Sequence, residues 1–278
     1  MLALPSLGFS TAASAEEMHV VIVRSTENGC EPLCTEWIAA QGEITSETDD
    51  AFRAVFKKLG KRRLPVVITS PGGDVDAAIA IGRMIRERRI DVVVGRTEFR
   101  GCNPKDQKCT LNEGRGADYF GTATTSWAFC DSACPLILAG GQHRIAQESA
   151  RIGVHQVTRT EIKTLTTYKI EYKIVNGKRK ERKTAIKRKV IASRTIPQMG
   201  SKIEKQLRSY LKSMGVDPQL VDRMKGTSAD DISYLSMEER ASSKLTDGTT
   251  PIFVLLNSSA CKSFPASSYC RLITTDDV

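Results

Sequence analysis

Residues 64–95 constrain the fold more than any other stretch of this chain. They read LPVVIT, then Ser70-Pro71-Gly72-Gly73, then an amphipathic run from Asp74 to Arg89, then DVVVG. The continuous apolar run at 64–69 predicts a strand buried on both faces, and 91–95 predicts another. Between them Val75, Ala78, Ile79, Gly82 and Ile85 fall on one helical face. Strand, helix and strand in that order close through a right-handed crossover, which calls for a parallel sheet and an α/β chain.

The flanks carry weaker signals. Residues 18–24 (MHVVIVR) are rich in β-formers, and 37–44 (WIAAQGEI) make a second, less marked run. Ser46, with Asp49 three residues on, predicts a helix cap, and Gly60 stops that helix after Leu59. Residues 96–125 read as a long polar loop of a kind that compact domains seldom leave unsupported. Residues 130–140 (CDSACPLILAG) predict a short apolar helix ended by Gly140-Gly141, and 144–146 and 151–157 predict two strand-like runs. From 161 to 192 polar residues alternate with β-branched or aromatic ones about Asn176-Gly177, a hairpin signal. Helices are expected over 198–213 and around 218–224, and 235–245 and 252–256 close the domain. No internal repeat is present.

With 278 residues, 40% hydrophobic and 26% charged, the chain is too large and too apolar to be a disordered segment or a disulfide-only mini-protein. No uninterrupted apolar run approaches the ~18 to 20 residues of a spanning helix, which excludes a polytopic membrane protein. The net charge of +9 is local: residues 151–195 hold 14 Lys/Arg and 3 Asp/Glu, leaving the remainder at −2. Residues 1–15 read as a signal peptide, with an apolar stretch and an A-x-A-like site at Ala13-Ser14-Ala15. Eight cysteines point the same way, towards a periplasmic or secreted location. They fall as Cys30/Cys34, Cys102/Cys109, Cys130/Cys134 and Cys261/Cys270, without the C-x2-C spacing of a zinc site. The first, second and fourth pairs close short loops. Cys130 and Cys134 would sit four apart on a helix, so exchange with the Cys102/Cys109 loop stays open. The organisation expected is a signal at 1–15, one domain over 16–257 with a basic hairpin inserted at about 160–192, and a stapled tail at 258–278.

Three separated segments carry chemistry. Ser70-Pro71-Gly72-Gly73 is either a plain tight turn or a place where backbone amides meet a ligand oxygen at close range. Ser132 opens the apolar helix, where it is either an N-cap residue or a nucleophile whose anion the helix end stabilises. Gly153-Val154-His155-Gln156 puts one of only three histidines on the strand that follows.

Together these segments resemble the ClpP/crotonase superfamily, and within it the Clp protease proteolytic subunit. The stretches SPGGDVDAAIAIGRMIR, SACPLILAGGQHRIA and ARIGVHQ match its pattern in order and interval, with Ser132 and His155 23 apart. Residues 202–247 resemble the handle helix, acidic turn and S-x-E-E helix of that family. The resemblance implies a ββα superhelix with a largely parallel sheet, here carrying the inserted basic hairpin. It implies Ser132 as nucleophile, His155 as general base, and the amides of Gly72 and Ala133 as oxyanion hole. The family's Asp aligns nearest Ile232, so Asp231, one residue earlier, is the third member if the turn shifts, with Asp230 behind it. His143 lies past the far end of the Ser132 helix, and His19 reads as structural.

The function expected is an exported, ATP-independent serine hydrolase acting on peptides or proteins, needing no cofactor and no metal. An ATPase partner is not expected, since an exported protein meets no ATP. A homo-oligomer and an anionic surface at the hairpin are the other expected partners. The alternatives are an inactive member of the fold that binds or assembles through its hairpin, and a Ser/Lys peptidase of signal-peptide-peptidase type. A crotonase-type acyl-CoA enzyme ranks last, because export removes CoA from reach.

Overall fold

The computed structural model describes residues 16–28, 30–106, 109, 117–175, 178–196, 198–256, 258–262 and 266–272. The signal sequence expected at 1–15 and the Asn176-Gly177 turn lie outside the described residues.

Apolar and β-branched runs supply the first strands, β1 (His19–Ser25) and β2 (Leu33–Gln41), which pair antiparallel from His19 opposite Gln41 to Arg24 opposite Glu36. Helix α1 (Thr48–Leu59) follows, and Gly60 takes positive φ at its end. Its start differs from the Ser46 cap expected: Glu47 is the N-cap residue, and the Thr48 hydroxyl accepts instead from the Thr45 amide at 2.8 Å. The strand, helix and strand of the 64–95 unit are β3 (Val66–Thr69), α2 (Val75–Arg88) and β4 (Val92–Val94), with β3 and β4 parallel. Asp74 caps α2, its carboxylate accepting from the Ala77 amide at 2.8 Å.

The polar stretch 96–125 begins and ends in strands rather than being all loop. β5 (Arg96–Arg100) and β6 (Tyr119–Thr124) pair antiparallel. Their alternation is masked by charged and threonine side chains on the outer face, so the composition reads as loop. The next apolar segment divides: β7 (Phe129–Asp131) is a strand, and only α3 (Cys134–Ala139) is helical. Then come β8 (Arg144–Ile145), β9 (Arg151–Val154), and the long strands β10 (Arg159–Val175) and β11 (Lys178–Ile196). Helices α4 (Ser201–Ser213) and α5 (Leu220–Gly226), strand β12 (Ser233–Tyr234), and helices α6 (Met237–Ser242) and α7 (Ile252–Leu256) lead to β13 (Cys270–Leu272).

These strands form a mixed α/β architecture. The main sheet runs β5-β6-β1-β2-β3-β4-β8, parallel at β6/β1, β2/β3, β3/β4 and β4/β8, and β13 adds to β2. A second, three-stranded sheet, β12-β9-β7, stands beside it, and β10 and β11 form a separate two-stranded ribbon. The main core fills the space between the sheet and α1, α2, α3 and α4, with Ile38, Phe52, Ile68, Ile85, Ile137 and Leu211 buried in it. The Tyr210 hydroxyl of α4 donates to the Leu136 carbonyl of α3 at 2.7 Å, tying the two helices together. The cysteines pair as Cys30–Cys34, Cys102–Cys109, Cys130–Cys134 and Cys261–Cys270. The third bridge does not lie along one helix: it joins the middle of β7 to the first residue of α3, with Cα atoms 5.1 Å apart, inside the ordinary range.

Candidate active site

The two sheets meet where β3 ends. Thr69 Oγ1 donates to the Phe129 carbonyl at 3.0 Å, the Ser70 amide donates to the same oxygen at 3.0 Å, and the Asp131 amide returns a bond to the Ser70 carbonyl at 3.0 Å. This seam presses the Ser70-Pro71-Gly72-Gly73 turn against the segment that follows β7. A Cβ at Gly72 would lie 2.4 Å from Ser132 Cβ and 2.8 Å from the Ala133 nitrogen, so only glycine fits there, and its φ of +101° is itself a glycine conformation.

Ser132 is in the left-handed region, at φ +61°, which a side-chain-bearing residue seldom adopts. Its amide donates to the Gly153 carbonyl at 2.9 Å, and the Cys130–Cys134 bridge closes the loop around it. The sharp turn leaves its hydroxyl beside His155, with Oγ 2.7 Å from Nε2. His155 sits just past β9, the strand paired parallel to β7 from Phe129/Arg151 to Asp131/Gly153, so the shared register sets that spacing.

The other ring nitrogen, Nδ1, is 3.1 Å from the carbonyl of Ala229. A carbonyl only accepts, so Nδ1 carries the proton and Nε2 is left to accept from Ser132. The turn bearing Ala229 is held by Gln156, whose amide donates to the Thr227 carbonyl at 3.1 Å and whose side chain donates to the Lys225 carbonyl at 3.0 Å. Asp231, expected as third member, is not at the ring. Its Oδ1 accepts from the neighbouring Ile232 amide at 2.8 Å, and no hydrogen bond joins it or Asp230 to His155 among the described residues. The turn comes within reach of the imidazole at Ala229, two residues before Asp231 and three before the aligned Ile232, and does so with backbone.

The amides expected at an oxyanion divide similarly. Ala133, directly after Ser132, has no acceptor for its amide among the described residues, whereas the Gly72 amide donates to Ser70 Oγ at 3.1 Å. The next amide, that of Gly73, has no acceptor among them either. His143 lies beyond α3, its backbone bonded to Asp91 and Val92, and His19 pairs with Glu16 at 3.4 Å. No lysine bonds Ser132 among the described residues.

Asp131 is a group that sequence reasoning passed over. It is 7% exposed, and its Oδ1 is buried with no hydrogen-bond partner among the described residues, in the space a Cβ on Gly153 would take. Burial pushes its carboxyl above the ordinary range, against the opposing pull of Arg151, the Gly153 backbone and His155. Adjoining the Gly72 turn, a pocket lined in part by Thr69, Pro71, Arg96, Phe99 and Phe129 opens to solvent.

A serine hydroxyl on an imidazole, beside a backbone amide with no acceptor among the described residues, is an arrangement for acyl transfer. Three solved structures similar to the chain are proteases. A membrane-bound stomatin-specific protease (1510-N) is 17% identical, with 86% of this chain and 91% of that one covered and a TM-score of 0.43. The ClpP protease catalytic domain from Plasmodium falciparum is 15% identical over 74% and 80%, with a TM-score of 0.40, and ClpP1 from Listeria monocytogenes is 13% identical over 75% and 87%, also at 0.40. At that degree of likeness they bear on neither substrate nor chemistry. No family model and no curated protein matches the chain.

Proposed function

We propose that this chain is an exported, ATP-independent serine peptidase with Ser132 as nucleophile and His155 as general base. The 2.7 Å separation of Ser132 Oγ and His155 Nε2 carries the reading. Ser132 Oγ attacks the scissile carbonyl while Nε2 takes its proton. The amide of Ala133, with that of Gly73 beyond the Gly72 contact, donates to the oxygen that becomes negative. The imidazolium then protonates the leaving amine as the C–N bond breaks, leaving an acyl-serine. Water, deprotonated by Nε2, releases the acid and restores the serine. The Ala229 carbonyl holds the ring tautomer throughout, in the place where an aspartate was expected.

Four disulfides support an oxidising location, and the pocket lined by Pro71 and Phe129, on the turn that meets Ser132, offers room for part of a substrate. The test is turnover of an unfolded fluorogenic protein substrate by the oxidised chain without ATP. Hydrolysis that Ser132→Ala abolishes is the expected result; equal hydrolysis by both forms refutes the assignment.

A further inference from the structure

The ribbon of β10 and β11 has no part in the chemistry above. It pairs 17 residues of one strand with 19 of the other, no third strand joins it among the described residues, and at ~3.3 Å per residue it reaches roughly 55 Å. Residues 159–196 hold 13 Lys/Arg and 3 Asp/Glu. A two-stranded ribbon alone is marginal in water, so its two faces matter.

The register sorts them. Tyr168, Ile170, Tyr172 and Ile174 alternate along β10 on one face, opposite Ala185, Lys183, Glu181 and Arg179. They are 53%, 43%, 50% and 80% exposed. On the other face Lys169, Glu171 and Lys173 stand opposite Thr184, Arg182 and Lys180, followed by Lys187 and Lys189 opposite Thr167 and Leu165. Both irregularities fall on β11, so the β10 alternation runs unbroken through the apolar stripe. Arg179 lies over the Tyr172 ring, 3.6 Å from its centroid, which puts a cation among the apolar side chains instead of away from them.

We infer that this ribbon lies flat on an anionic lipid surface, with the Tyr168–Ile174 face at the boundary between headgroups and acyl chains. Tyrosine rings suit that depth, with an apolar body and a polar tip, and the isoleucines beside them bury aliphatic surface. Arg179, Lys183 and Arg188 share the face and meet lipid phosphates at the same level. A second copy of the ribbon fits this face poorly. Stacking two apolar faces would bring three cations and only Glu181 from each copy into one dry seam. Nucleic acid suits it no better, because Ile170 and Ile174 do nothing for a phosphate backbone.

The test is sedimentation of the full chain with vesicles of equal parts phosphatidylglycerol and phosphatidylcholine, against vesicles of phosphatidylcholine alone. Binding to the anionic vesicles should exceed binding to the neutral ones at least tenfold, a threshold below the roughly 25-fold that two cations at about fivefold each supply. Ile170→Ser with Ile174→Ser should cut anionic binding about tenfold, and Lys183→Gln with Arg188→Gln should cut it similarly and flatten its salt dependence. Unchanged melting temperatures show that these exposed substitutions leave the fold intact. Equal binding to both vesicles, or none to either, overturns the inference. So does binding to duplex DNA that the isoleucine pair leaves unchanged, or a solution dimer that the isoleucine pair dissociates while vesicle binding is absent.

Discussion

The imidazole of His155 spans two partners, Ser132 Oγ at 2.7 Å from Nε2 and the Ala229 carbonyl at 3.1 Å from Nδ1. A neutral carbonyl orients the ring but adds no full negative charge, so the base depends on position more than on a paired carboxylate. His155→Ala should therefore lower the rate at which a fluorophosphonate labels Ser132 by about 10²- to 10⁴-fold. Asp231→Asn should leave that rate nearly unchanged, because Asp231 bonds its own neighbour. Loss of labelling in Asp231→Asn would place the carboxylate in the site after all.

Gly72→Ala tests the close approach of the turn to the nucleophile. The added methyl would fall 2.4 Å from Ser132 Cβ, at a φ that alanine resists. Labelling should be lost, with a drop in melting temperature. Gly60→Ala, also at positive φ but with open space around it, should lower the melting temperature modestly and leave labelling intact. Matching losses of labelling in both variants would contradict the contact.

Asp131 gives a prediction about stability. Because burial raises its carboxyl in the folded chain, the folded state keeps a proton that the unfolded chain releases near pH 3.9. Its contribution is thus most favourable below that pH and declines as pH rises through the raised value. Asp131→Asn removes the decline, so the melting temperature of the variant relative to the parent should climb between acid and neutral pH. A difference that shrinks over that interval would mean the carboxylate is stabilised, not penalised, by its site.

The Cys130–Cys134 bridge encloses Ser132 between two fully buried residues. In the chain-entropy view a loop this short confines the unfolded chain by about 2 kcal/mol. The Cys130→Ala/Cys134→Ala variant should melt lower by that order and label more slowly, because the left-handed Ser132 backbone loses one of its restraints. Removing the distant Cys261–Cys270 bridge should lower stability without slowing labelling of the surviving folded fraction. Equal labelling by all three forms would show that the neighbouring bridge does nothing for the nucleophile.

The sequence made the 64–95 unit legible because a buried parallel strand writes itself as an unbroken apolar run, and Asp74 marks the helix start. Ser132 and His155 were visible through their segments. Their contact follows from the pairing of β7 with β9, and β7 itself was hidden because CDSACPLILAG is apolar at either period. The Ala229 carbonyl and the amides of Ala133 and Gly73 carry no residue-type signal, since every residue supplies the same backbone groups. Strands β5 and β6 are hidden for a different reason: β5 at the sheet edge and its neighbour β6 carry charged and threonine side chains outward, and composition there imitates loop.

The central claim is that Ser132 is a nucleophile, and the most direct measurement is peptide mapping by mass spectrometry after treating the oxidised chain with a fluorophosphonate. The arrangement predicts one adduct, on the peptide carrying Ser132, absent from Ser132→Ala and formed far more slowly in His155→Ala. An unmodified Ser132 peptide, under conditions where a control serine hydrolase is fully labelled, would contradict it.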